Sequence, residues 1–170
     1  LKLELDPKDA RSLKRKRAVG SQAQSQRELS VYYDTSNGKL RKNGLTLRVR
    51  SNAKGFVQTV KTAETGAGLF FRGEWETAVG SIEPHVEDLE GTPAGRVGLK
   101  KLRPVVRSEV ERTIWQSGSA GDLLEFALDQ GELQADGRKA PVCELEIELL
   151  KGDPAKAFAA ARNLADEVPV

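Results

Sequence analysis

The nine residues 142–150, V-C-E-L-E-I-E-L-L, constrain this chain more than any other stretch. Glu144, Glu146 and Glu148 occupy every second position, and Cys143, Leu145, Ile147 and Leu149 the alternate ones. Successive side chains of a strand point to opposite faces, so the pattern predicts a strand with one carboxylate face and one apolar face. Carboxylates repeating at about 7 Å along a strand repel one another. The fold therefore has to set something positive opposite them: basic side chains, a divalent cation, or both.

The same two-faced pattern recurs along the chain. Residues 45–50 put Thr46, Arg48 and Arg50 on one face and Leu45, Leu47 and Val49 on the other. Residues 56–62 put Val57, Thr59 and Lys61 together, and residues 69–79 put Arg72, Glu74 and Glu76 opposite Phe71 and Trp75. Residues 123–130 put Glu125, Ala127 and Asp129 on one face, with a turn at Gln130-Gly131, a short return over 132–135, and a second turn at Asp136-Gly137. Residues 1–5, 28–35 and 102–116 read as further strands, with Pro104 at the start of the last. Polar residues 21–27 read as a loop. Asp6-Pro7 predicts a helix with Asp6 as its N-cap, running to about Val19. Asp153-Pro154 opens a last helix over 155–167, and residues 81–101 predict one or two short helical turns.

The expected fold class is α+β, mainly β. Short turns predict antiparallel neighbours. An open sheet with one wet face fits the alternation, and so does a closed barrel with its charged face inward. Spaced arginines and clustered carboxylates favour an eight-stranded antiparallel closed barrel with a charged lumen and flanking helices. Such a lumen suits a compact polyanion, with Arg supplying planar forks of donors and the carboxylates a cation that bridges to it. The chemistry it suits is phosphoryl transfer to water, which asks for positioning and electrostatics. No G-x-x-x-x-G-K-[ST] loop occurs, which excludes that class of nucleotidase.

Composition narrows the class further. With 27 basic and 25 acidic residues the net charge is +2, not the footprint of a general nucleic-acid binder. The run Lys14-Arg15-Lys16-Arg17 reads as a solvated helix face. The single cysteine, Cys143, excludes a disulfide framework and a cysteine metal cluster, and points to a reduced, cytoplasmic setting. No apolar run of about 18 residues exists to span a membrane. The one histidine, His85, reads as a surface or structural residue. Tyr32 and Tyr33 read as packing residues, and Trp75 and Trp115 as core on the outer face. The chain opens inside a strand without an initiator methionine and closes abruptly at Val168-Pro169-Val170, so continuations at both ends are expected.

The ordered set Y-Y-D-T, L-T-L-R-V-R, Q-T-V-K-T, R-G-E-W-E, F-A-L-D-Q-G-E and C-E-L-E-I-E-L resembles the CYTH domain of the triphosphate tunnel metalloenzymes, nearest to the bacterial inorganic triphosphatase branch. The resemblance covers nearly all of the chain and implies one domain over 1–170, with a helical CHAD domain as a candidate continuation. It implies Mg²⁺- or Mn²⁺-dependent hydrolysis of inorganic triphosphate, with polyphosphate and nucleoside triphosphate as further candidate ligands. No membrane and no specific nucleic acid are expected as partners. It further implies Lys2, Lys61 and Glu146 as catalytic. Arg48, Arg50, Lys61, Arg72, Arg107 and Arg112 are implied as phosphate ligands, and Glu4, Glu74, Asp129, Glu144, Glu146 and Glu148 as metal ligands. The family's first-strand signature is E-x-E-x-K. Lys2 matches its lysine, and both glutamates would precede Leu1.

Overall fold

A computed structural model of the chain describes residues 1–18, 23–63, 73–119 and 121–167. The strands are β1 (Lys2–Glu4), β2 (Gln24–Asp34), β3 (Leu45–Asn52), β4 (Gly55–Thr62), β5 (Glu74–Val79), β6 (Arg103–Ser119), β7 (Asp122–Ala135) and β8 (Arg138–Lys151). The helices are α1 (Pro7–Ala18), the single turn α2 (Lys39–Lys42) and α3 (Ala155–Glu167), with 3₁₀ turns at Glu87–Leu89 and Gly95–Val97. The strands form one sheet in the order β1-β8-β7-β6-β2-β3-β4-β5. Pairing is antiparallel in β1·β8, β2·β3, β3·β4 and β4·β5. The end strands β1 and β5 share no ladder among the described residues, so the sheet is mainly-β and antiparallel as expected but is not closed by hydrogen bonds.

Several elements follow local chemistry. The Asp6 carboxylate accepts the Lys8 amide at 2.7 Å, which caps α1 where the sequence put it. Asp153 does the same for α3 through the Ala155 amide at 2.8 Å. Three expectations are corrected. Gln24–Arg27 belongs to β2 rather than to a loop, although it is almost wholly polar; Ser25 Oγ and Thr113 Oγ1 hydrogen-bond at 2.8 Å, which gives this end of the strand its fixed partner. Gln130-Gly131 is not a turn, and β7 runs straight through it. The real reversal is Asp136-Gly137, with φ of 49° and 73°, the pair of left-handed residues that a tight two-residue hairpin demands. Trp75 is 36% exposed rather than core, because β5 is an end strand and the indole folds back over Gly73.

The chain divides into two compact units. Unit 1 comprises residues 1–27, 110–132 and 140–170. Its core joins Leu13 of α1 and Leu164 of α3 to Trp115, Leu128, Cys143, Leu145 and Ile147. The Trp115 ring stacks on Phe126 at 5.4 Å. Cys143 is buried, and loss of hydration pushes its thiol above the ordinary range, so it behaves as a small apolar core residue. Unit 2 comprises residues 28–109 and 133–139. Its core is Val31, Tyr33, Leu40, Leu47, Val49 and Val60, closed by Leu89 and Ala94. Gln58, 2% exposed, holds His85 by both backbone groups, accepting its N–H at 2.9 Å and donating to its carbonyl at 3.1 Å. That clamp fixes the irregular segment under β4, and the exposed His85 ring turns to Asp88 at 3.0 Å.

In unit 1 a carboxylate ties the β6–β7 turn to α3. Asp122 pairs with Lys156 at 3.2 Å and accepts the Asp153 amide at 3.3 Å. Gly152, φ +109°, passes so close that a Cβ there would collide with the Asp122 carboxylate. The Lys156 contact first, and the Asp153 amide second, hold the Asp122 carboxyl below its ordinary pKa. A depressed folded pKa stabilises the fold above the unfolded value and loses that contribution as pH falls through the folded one. Asp122→Asn is therefore expected to flatten the acid limb of a Tm-against-pH curve below about pH 4. An unchanged acid limb would place the carboxylate outside the stability linkage.

Candidate functional site

The polar face of unit 2 is laid out by register. Tyr32 stands opposite Arg48, Arg48 opposite Thr59, and Thr59 opposite Glu76. The neighbouring rows are Ser30, Arg50, Val57 and Ala78 on one side, and Thr46, Lys61 and Glu74 on the other. Directly opposed residues share a face, so Arg48, Arg50 and Lys61 rise from the side opposite the Leu47, Val49 and Val60 core. The structure thus brings together three of the expected phosphate ligands.

Their electrostatic states differ. Lys61 pairs with Glu74 at 2.8 Å. Arg50 reaches the carboxylate of Glu28 at 3.4 Å, and Glu28 is only 6% exposed. Arg48 is the exception, since its Nε and Nη2 are buried and have no hydrogen-bond partner among the described residues. A guanidinium cannot lose its proton to escape that cost. Arg48 is half-buried, and its two buried, unpartnered nitrogens are donors that an anion on this face would satisfy.

Arg107 goes elsewhere. It pairs with Glu109 and is half exposed. Its field acts on Tyr33, whose hydroxyl donates to the Ile82 carbonyl at 2.9 Å. Burial and then Glu83 raise the Tyr33 pKa, and Arg107 offsets part of that rise. Arg72 lies outside the described residues.

Unit 1 carries the carboxylate strand. Lys2 stands opposite Glu146 and Glu4 opposite Glu144, while the Lys2 ammonium crosses diagonally to Glu144 at 2.5 Å. Arg112 is the centre of this group. It donates Nε and Nη2 to the two oxygens of Asp129 at 2.7 and 2.6 Å, and Nη2 also reaches Glu146 at 3.0 Å. Asp129 is 8% exposed, so the pair is well shielded. Arg112, expected as a phosphate ligand, is here the counter-ion of two expected metal ligands. Glu148 is exposed, and Glu125 takes a hydrogen bond from Gln116 at 3.0 Å.

The carboxylates have been tested as a metal cage. No group of three or more His, Cys, Asp or Glu positioned to hold a metal ion occurs among the described residues. Asp129 and Glu146 come together as a pair, on a guanidinium. Mg²⁺ commonly binds through one or two carboxylates with phosphate oxygens and water completing its shell, a demand that the Glu144, Glu146 and Glu148 face of β8 meets without a three-residue cage.

Sequence reasoning missed Glu28, Thr59 and Asp34. Glu28 carried a signal, since it shares the two-residue period of Ser30 and Tyr32. Thr59, 1% exposed, donates to Glu76 at 3.1 Å beside Arg48. Asp34 is buried at the end of Y-Y-D-T and accepts the amides of Thr35, Leu40 and Arg41 at 2.7, 2.9 and 3.1 Å. Those bonds form α2 and fix how the chain enters β3, where Arg48 sits.

Residues 1–168 match the CYTH domain family. The chain belongs to the CYTH domain family. An inorganic triphosphatase of Haemophilus influenzae is 29% identical over 132 residues, covering 76% of this chain and 38% of the relative. This CYTH domain thus spans well under half of that relative's length. Two solved structures share its fold across 98% of the chain. One is HpAC1 from Hippeastrum, an adenylyl cyclase candidate described as having a dominant triphosphatase activity, with a TM-score of 0.69, 16% identity and 85% of that chain covered. The other is PH1819 from Pyrococcus horikoshii, with a TM-score of 0.60, 17% identity and 88% covered. No helix among the described residues of the CYTH domain is long and apolar enough to cross a membrane.

Proposed function

We propose that this CYTH domain hydrolyses inorganic triphosphate to diphosphate and orthophosphate, in the cytoplasm, within a longer protein for which a CHAD domain is a candidate continuation. The observation that carries the reading is half-buried Arg48, whose Nε and Nη2 are buried without a partner among the described residues. A linear polyanion relieves that charge, and Arg50 and Lys61 rise beside it on the same face to share the load. Arg72 is proposed as a fourth phosphate ligand.

In the proposed reaction a water oxygen attacks the terminal phosphorus. The bond from that phosphorus to its bridging oxygen breaks, and diphosphate leaves with the electron pair. Glu146 takes the water's proton, which requires it to leave Arg112. Arg112 keeps its bidentate hold on Asp129 when it does so. Lys2 and Lys61 are proposed as the cations that stabilise the charge accumulating on the phosphate oxygens. Glu4, Glu74, Asp129, Glu144, Glu146 and Glu148 are the proposed contacts for Mg²⁺ or Mn²⁺, which when bound would supply positive charge to the phosphate oxygens.

A second reading is a module that binds triphosphate, polyphosphate or a nucleotide without turning it over, since no group of three carboxylates placed to hold a metal occurs among the described residues. Calorimetric titration paired with orthophosphate release separates the two, run on triphosphate, ATP and thiamine triphosphate with Mg²⁺ or Mn²⁺. The hydrolase reading expects both binding and release, greatest with triphosphate. Binding without release from any of the three would favour the binding module.

A further inference from the structure

A second basic surface lies away from the polar face, on unit 2. Residues 36–43 and 95–103 contain seven cations, Lys39, Arg41, Lys42, Arg96, Lys100, Lys101 and Arg103, and none of the chain's 25 acidic residues. Two hydrogen bonds and a shared cavity relate these segments. Arg103 donates to the Ser36 carbonyl at 3.4 Å, and Lys39 to the Gly98 carbonyl at 3.2 Å. Arg96 and Val97 share a cavity of about 380 Å³ with Asn43, Gly44 and Leu45. The order of these contacts sets the segments antiparallel, so the cations form one continuous band. All but Lys39 are exposed. None forms an ion pair among the described residues. The nearest carboxylate in sequence, Asp34, is buried and spent on three backbone amides.

The chain is almost neutral, so such a band represents segregated charge. Its chemistry selects the partner. It holds no aromatic side chain to stack a base, which disfavours single-stranded nucleic acid. It also lacks the exposed apolar anchor that protein interfaces are built around. What remains is attraction to a dense run of unesterified phosphates. We propose that this band docks a long inorganic polyphosphate chain. The choice of polyphosphate over other polyanions rests on the triphosphatase reading, while the band itself is independent of Arg48.

The test uses the triple variant Lys42→Ala/Arg96→Ala/Lys100→Ala, three exposed residues outside the proposed catalytic and phosphate-binding set. Binding of inorganic polyphosphate of about 100 units is followed by calorimetry over a salt series in EDTA. The triple variant is expected to bind at least tenfold more weakly, with the slope of log K against log salt shallower by about 2. A control, Lys8→Ala/Lys54→Ala/Arg138→Ala, removes the same charge elsewhere and is expected to change affinity less than threefold. Triphosphate turnover is expected unchanged in both, so failure of the docking proposal and failure of the triphosphatase reading remain distinguishable. Equal losses in the two triple variants, or no loss in either, would overturn the proposal. So would tighter binding of a 20-base-pair duplex DNA than of polyphosphate at the same salt.

Discussion

Arg48→Met is expected to lower kcat/KM for triphosphate by about 100-fold or more while leaving Tm unchanged or higher. The two halves of this result have one cause. Two buried guanidinium nitrogens, Nε and Nη2, without a partner among the described residues are a cost to the folded chain, of about 1–3 kcal/mol for each unsatisfied polar group. Methionine keeps the unbranched stem and removes the charge. Arg50→Met, two residues along the same strand, is expected to differ in sign for stability. Arg50 faces the carboxylate of Glu28, which stays buried when its partner is removed. Thermal melts of the two variants beside triphosphate kinetics check both statements. A lower Tm for Arg48→Met would mean that its charge is paired in the folded chain, and the phosphate role would lose its support.

Arg112→Met is expected to be the most destabilising change, by about 3–5 kcal/mol. It leaves Asp129, 8% exposed, without its bidentate partner and takes a contact from Glu146. The double variant Arg112→Met/Asp129→Leu removes both buried charges and is expected to recover most of that loss, because well-packed apolar replacements of buried pairs are often neutral. Turnover is expected to stay low in the double variant, since Glu146 has lost the group that orients it. Denaturant unfolding of wild type, both single variants and the double completes the cycle. Additive effects would mean that Arg112 and Asp129 act separately, contrary to the 2.6 and 2.7 Å geometry.

Much of this was legible in the sequence because two-residue alternation is a direct print of the strand pleat. It located β3, β4 and β8, set Arg48, Arg50 and Lys61 on one face, and separated Glu144 and Glu146 from Cys143, Leu145 and Ile147. The Asp-Pro pairs announced α1 and α3. Alternation fails where a strand is polar on both faces, as at Gln24–Arg27, and where glycine is extended, as at Gly131. It also gives faces without partners. That Arg112 holds Asp129 and Glu146 depends on which strand lies beside which. Trp75 was misread for the same reason: an alternating aromatic is buried only if something covers its face, and β5 is an end strand. Two carboxylates of the β8 stripe are answered by basic side chains within their own unit, Glu144 by Lys2 and Glu146 by Arg112.

The proposed hydrolysis of triphosphate breaks one phosphoanhydride bond per turnover. The most direct measurement is ³¹P NMR of inorganic triphosphate incubated with the protein and Mg²⁺ or Mn²⁺, beside an Arg48→Met sample. The account predicts diphosphate and orthophosphate signals growing together, one of each per triphosphate consumed, and growing far more slowly in the variant. A triphosphate spectrum that broadens on binding but yields no products would contradict it.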